Sequence, residues 1–173
     1  MLSEKLQQAL NDQINAEYHS GYLYLAMCAY FESLNLDGCS NWMRIQAQEE
    51  LLHGMRIFDY MTERGAHVIL QPVEGPPPRW DSPQAAFQAA LAHEQMMTRR
   101  VNDLADLAQT EKDHATNNLM QWFVNEQVEE EANVEDILRK LELVGEKGPG
   151  LFMIDRELKG RVFTPDPGSM PGE

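Results

Sequence analysis

The chain encodes an all-α bundle of four long helices, with a long crossover between the second and third and a short fifth helix near its C-terminus. Three observations predict it. Apolar residues recur at spacings of three and four through four stretches of 25 to 30 residues. Prolines cluster between the second and third stretch, and good capping residues stand at the ends. The length of 173 residues with 43% hydrophobic content suffices for one sizeable core, so a single domain is expected over residues 1–173, with the bundle at about 3–145.

Taken in order, Ser3 is a good N-cap, and the apolar pattern runs from Leu6 to Phe31 without a proline. A short turn from Leu34 to Gly38 leads to a second helix from about Ser40 to Arg64, stopped by Gly65. Short turns make antiparallel neighbours, so these two helices form a hairpin. Residues Gly65 to Pro83 hold five of the nine prolines and cannot be helical. At roughly 3.3 Å per residue that segment spans up to about 60 Å, enough to return the chain to the starting end of the bundle. A short extended piece at Val68 to Leu70 is an alternative to a wholly irregular crossover. Ser82 and Pro83 then open a third helix to about Gln109. A tight turn at Glu111 to Asp113 leads to a fourth from about His114 to Val144, stopped by Gly145. Leu151 to Lys159 reads as the fifth helix, and the tail from Val162 as loose.

The chemistry lies on the apolar seams. Read in sevens, the first helix gives Leu10, Glu17, Tyr24, Phe31; the second Met43, Glu50, Ile57; the third Phe87, Glu94, Val101, Ala108. The fourth alternates threes and fours through Met120, Phe123, Gln127, Glu130, Val134, Ile137 and Leu141. Burying an unpaired carboxylate costs several kcal/mol, so four of them must be paired or must hold a cation between them. No lysine or arginine occupies any seam, which argues against a buried salt-bridge network. Each of Glu17, Glu50, His53, Glu94, Gln127 and Glu130 lies near its helix midpoint, and midpoints stay level whichever way a helix runs. The six therefore converge on one layer. Glu50-x-x-His53 and Gln127-x-x-Glu130 each place two side chains one turn apart on a face. Four carboxylates and one imidazole form a hard donor set, suited to iron or manganese rather than structural zinc. Four negative charges neutralise two divalent ions, and Glu50 is placed to bridge them. A second Glu-x-x-His, Glu111 to His114, sits at a turn without an apolar stripe and reads as solvated surface.

The net charge of −14, from 14 basic and 28 acidic residues, excludes simple electrostatic binding of nucleic acid or an anionic membrane. No apolar run reaches the roughly 20 residues a bilayer requires. Cys28 and Cys39 make neither a disulfide framework nor a C-x-x-C pair. A soluble chain in a reducing, cytoplasmic compartment is expected.

Four segments carry a resemblance: E-Y-H-S-G-Y-L-Y at 17–24, Q-E-E-L-L-H-G at 48–54, H-E at 93–94 and N-E-Q-V-E-E-E at 125–131. Over nearly its whole length the chain resembles non-haem bacterial ferritins, within the ferritin-like di-iron superfamily. The resemblance implies a ferroxidase centre, with Glu17, Glu50 and His53 on one iron, Glu50, Glu94 and Glu130 on the other, and Gln127 close by. It implies a third iron position at Glu49, Glu126 and Glu129 sharing Glu130; without it, those three acids read as a solvated face. It further implies oxidation of Fe(II) by dioxygen or hydrogen peroxide and storage of ferric mineral in a shell of twenty-four subunits. Tyr24, one heptad after Glu17, is either a core aromatic or a redox-active neighbour of the irons. His19 and His93 flank ligand positions in supporting or surface roles.

Near relatives define the alternatives. Bacterioferritins and rubrerythrins carry a second Glu-x-x-His on the fourth helix, where this chain has Gln127-x-x-Glu130, and rubrerythrins add paired cysteine motifs. A haem-binding bacterioferritin would place a methionine where Leu52 stands; Met55 is nearby, and haem is not expected. The fifth helix argues against Dps-like proteins, which lack it. A di-iron oxygenase or peroxidase acting on a small substrate remains the alternative of a different class, and would need a substrate pocket within the bundle.

Overall fold

In the computed structural model, residues 2–145 and 148–164 are described. Five helices follow in chain order: α1 (Glu4–Ser33), α2 (Asp37–Glu63), α3 (Pro83–Thr110), α4 (His114–Val144) and α5 (Pro149–Leu158). The fold is all-α.

The ends follow from local chemistry. Ser3 Oγ accepts from the Leu6 amide and Ser82 Oγ from the Ala85 amide, so both expected N-caps are made. Asp113 caps α4 by accepting from the Thr116 amide, and its carboxylate also takes a two-pronged hydrogen bond from Arg64 at 3.0 and 2.7 Å. The Arg64 guanidinium holds the Asp113 carboxyl well below the usual range. Three helices end in the same way. After α1, α2 and α3, a residue with positive φ follows the cap, and the next amide reaches back to the third-last carbonyl: Leu36 to Phe31, Ala66 to Met61 and Asp113 to Ala108. Gly65 suits that conformation; Asn35 and Lys112 adopt it at φ 55°.

The start of α2 differs from expectation. It begins at Asp37 rather than near Ser40, and Leu36 offers no side-chain cap. The cap comes from α5 instead: Asp155 Oδ1 accepts from the amides of both Gly38 and Cys39 at 2.9 Å. A Cβ on residue 38 would lie 1.5 Å from the Asp155 carbonyl oxygen, so only glycine lets α5 seat there. The cap lies more than a hundred residues along the chain and is invisible to local reading. α5 itself starts at Pro149, two residues early, with proline in the first turn.

The crossover has no regular structure, and the alternative of an extended piece at Val68 to Leu70 is not realised as a strand. Polar residues of α1 hold it: Asn11 bonds His67 O and the Ile69 amide, Asp12 accepts from Gln71, Asn15 donates to Gln71 O and Pro72 O, and His19 Nδ1 meets Glu74 O. Partners advance together, so the crossover runs alongside α1 toward its C-terminal end. There Trp80 packs on Tyr30 and Phe87 on Phe31, with ring centres 5.5 Å apart in each pair, and α3 begins its return.

Apolar packing falls into two clusters. One gathers Tyr24 to Phe31, Cys39 to Ala47, Ala86 to Ala90 and Val134 to Leu141, with Ile154 and Leu158. The other gathers Leu2 to Ile14, Ile57, Met61, Val101 to Ala108, Met120 and Phe123. The polar mid-helix layer separates them. Cys28 and Cys39 are buried free thiols. Val162 to Thr164 lie beyond α5 without regular structure, and the rest of the expected loose tail lies outside the described residues.

Candidate metal centre

Heptad spacing brings Glu17, Glu50, His53, Glu94, Gln127 and Glu130 to one level, and none is more than 7% exposed. Glu17, Glu50 and His53 each offer a ligand atom, and these atoms lie within 4.8 Å of one another. His53, Glu126 and Glu130 form a second group by the same measure. His53 thus faces both groups, where the sequence had suggested only the first.

Glu94 is approached differently. The Tyr24 hydroxyl donates to Glu94 Oε1, and Gln127 Nε2 donates to Glu94 Oε2 and to the Glu94 carbonyl, each at 3.2 Å. Gln127 therefore directs its amide N–H groups at a neighbouring carboxylate. Tyr24 is fully buried, and its ring meets Trp42 edge-on at 6.3 Å. Tyr24 is thus a core aromatic whose hydroxyl also bonds a carboxylate of the layer.

Two residues that reading in sevens passed over belong to the layer. Gln46 is fully buried and donates to Glu130 Oε2 at 2.6 Å; Gln13, also buried, donates to Glu17 Oε1 at 2.8 Å. Both occupy the second apolar position of their heptads, three residues after Met43 and Leu10. Following the full alternation of three and four would have found them. Ser20 shares that position and meets His93 Nε2 at 2.7 Å. Burial, with His19 and Arg100 nearby, lowers His93 to about 4, which keeps it neutral.

The electrostatics fit a cation. Burial, then the Glu50 charge, pushes the Glu17 carboxyl well up; burial, then Glu94 and Glu130, does the same to Glu50. Burial raises Glu94 even against its hydrogen bonds from Tyr24 and Gln127. Burial and Glu94 push Glu130 up to about 8. Among the described residues no lysine or arginine is buried, so His53 is the one basic side chain among the four carboxylates of the layer. Gln46 Oε1 is buried without a hydrogen-bond partner. Surplus negative charge and an orphaned oxygen are what a hard divalent cation relieves.

Beside the layer, α2, α4 and the segment after α5 enclose a cleft of about 170 Å³. His53 and Glu130 face it, together with Glu49, Glu126 and Glu129. Glu49 is ion-paired to Arg161 at 2.6 Å. Burial raises its carboxyl although Arg161 opposes the shift. The other Glu-x-x-His, Glu111 to His114, is exposed at both ends, as its turn position suggested.

The model of the ferritin-like domain matches residues 7–144. The chain belongs to the ferritin family of iron-storage proteins. It is 39% identical to the bacterial non-heme ferritin of Staphylococcus epidermidis over 164 residues, covering 95% of this chain and 99% of that one. It is equally similar to the Staphylococcus aureus protein of the same name (strain MRSA252), over 94% and 98%. Among solved structures it resembles the open pore ferritin of the hyperthermophilic archaeon Archaeoglobus fulgidus, with a TM-score of 0.92, 53% identity and coverage of 94% of this chain and 100% of that one. An engineered closed form of that protein gives a TM-score of 0.93 at 54% identity, covering 95% and 100%. The resemblance carried by the four sequence motifs is thus a family relationship. Among the described residues of this family member, no helix is long and apolar enough to cross a membrane.

Proposed function

We propose that this ferritin is a ferroxidase, and that Fe(II) is the substrate the mid-bundle layer receives. The observation that carries the reading is the burial together of Glu17, Glu50, His53, Glu94 and Glu130 in a layer that holds no lysine or arginine, with the ligand atoms of Glu17, Glu50 and His53 within reach of one another. One iron lies among Glu17, Glu50 and His53, the other among Glu50, Glu94 and Glu130, with Glu50 between them and Gln127 holding Glu94 in place. A third position uses Glu49, Glu126 and Glu129 with Glu130. Hard anionic oxygens stabilise Fe(III) over Fe(II), so the donor set favours oxidation. Two Fe(II) supply two electrons, which dioxygen or hydrogen peroxide accepts. The raised carboxyls give up their protons as the cations enter, and so make charge compensation part of binding. Tyr24, through its hydroxyl on Glu94, couples the core aromatics to the second iron.

In this reading the whole chain is one domain, works in the cytoplasm and assembles as twenty-four copies of 19.8 kDa, about 480 kDa in all, around stored ferric mineral. A small-substrate oxygenase is disfavoured because the cleft beside the site is lined mainly by polar and charged side chains, with Leu52, Trp122 and Phe163 as its apolar part.

Aerobic addition of Fe(II), with absorbance and oxidant consumption followed together, tests the activity. The wild-type protein oxidises the first two Fe(II) per subunit rapidly; Glu50→Ala or His53→Ala lowers that rate at least about a hundredfold. Unchanged kinetics in both variants would refute the site. Gel filtration in parallel separates storage from other uses: a species near 480 kDa is expected, and a monomer or dimer would contradict the shell.

A further inference from the structure

Arg161 carries a role that the ferroxidase reading leaves unassigned. It follows α5, and two carbonyls near it are fixed by Asn41, whose Nδ2 donates to Arg161 O at 3.0 Å and Leu158 O at 3.4 Å. Its guanidinium carbon lies 4.8 Å over the ring of Trp42, and Nη1 reaches the Trp42 carbonyl at 3.5 Å. From that platform Nη2 extends to Glu49 Oε2 at 2.6 Å. Glu49 and Arg161 side chains are each 23% exposed, so the pair is shielded but reachable. Phe163 and Thr164 continue along the same cleft wall.

We propose that Arg161 is a tethered cation occupying the charge position of the outermost metal, so that a third divalent ion binds only by displacing the guanidinium from Glu49. The inference rests on the outer position assigned above to Glu49, Glu126, Glu129 and Glu130. A planar guanidinium satisfies a carboxylate through directed N–H groups but donates no lone pair, so it neutralises Glu49 without mimicking coordination. The metal must compete with an ion pair held at high effective concentration by the chain itself. The two inner positions have no such competitor, because no arginine or lysine is buried among them. Arg161 therefore sets the filling order: inner pair first, outer position last and weakest. Stacking on Trp42 and the Asn41 bonds keep the arm close after displacement, ready to return when the outer ion leaves.

The test uses Zn(II), which is redox-inert, titrated calorimetrically into the assembled, metal-free protein. Wild type shows two tighter classes of site and one weaker class per subunit. Arg161→Gln tightens the weak class by about tenfold and leaves the other two unchanged, because the competing pair is gone. Arg161→Lys, which keeps the charge, stays near wild type; a tightening caused merely by loosening the C-terminal segment would appear in the lysine variant as well. Glu126→Gln and Glu129→Gln abolish the weak class. If they do so while Arg161→Gln leaves its affinity unchanged, the role of Arg161 is overturned and the outer position stands. If the weak class is absent, or survives both glutamine variants, the outer position itself fails and the inference fails with it.

Discussion

Gln46 shows how a single side chain shapes the centre. Its Nε2 fixes Glu130 while its Oε1 stays buried and unpartnered. Groups that orient a metal-binding carboxylate typically cost 10–100-fold in metal affinity when removed. Gln46→Leu, similar in size, is therefore expected to weaken Zn(II) binding by about 10–100-fold while leaving the fold intact, as read by competition with a chromophoric chelator. Equal affinity would mean that Glu130 needs no support. The titrating groups give a second prediction. Glu17, Glu50, Glu94 and Glu130 all have raised values in the fold, Glu130 to about 8, so the folded protein retains protons that the unfolded chain releases. Their contribution is fully present below about 4.3 and is lost as pH rises toward 8. His93, lowered to about 4, works the other way, but only below about 6.5, and Asp113 only in strong acid. Between pH 6.5 and 8 the layer dominates: Tm of the metal-free protein falls across that window, whereas Zn(II)-saturated protein, its carboxylates held by metal, shows no such fall. A flat metal-free profile would mean that the layer is neutralised some other way.

Among the elements, α5 has the least local support and the most specific docking. Its Asp155 supplies the cap that α2 lacks, on a Gly38 surface that admits no Cβ. Removing a buried, charged acceptor of two amides costs about 2–3 kcal/mol. Asp155→Ala should lower the midpoint of chemical unfolding accordingly, with Asp155→Asn recovering part of the loss; an unaltered midpoint would show that water replaces the cap. Most elements were legible because their signals are local. Ser3, Ser82 and Pro83 mark starts, Gly65 and Gly145 mark stops, and the three-four spacing fixes the faces. What escaped reading was non-local: the α2 start depends on α5, and the crossover lies where Asn11, Asn15 and His19 of α1 accept it. Within the site, the six seam residues are all buried, and Glu17, Glu50 and His53 bring their ligand atoms together. Gln13 and Gln46 were overlooked because a seven-residue stride samples only half of a seam. The approach of His53 to Glu126 was missed because spacing within one helix says nothing about the rotation of its neighbour.

Across the whole molecule, a polar layer interrupts what would otherwise be one continuous apolar core. The bundle accepts two separate clusters, one on each side, and between them a centre whose carboxyl groups are pushed upward by their own burial. Replacing buried ionic groups with apolar ones often stabilises a protein, so such a layer makes sense for what it binds rather than for stability. The central claim is that the layer takes up a pair of iron ions. Anomalous scattering at the iron edge, from crystals soaked anaerobically in Fe(II), tests it most directly. The account predicts two strong peaks per subunit, one among Glu17, Glu50 and His53 and one among Glu50, Glu94 and Glu130; crystals with iron only at surface acids and none in the layer would contradict it.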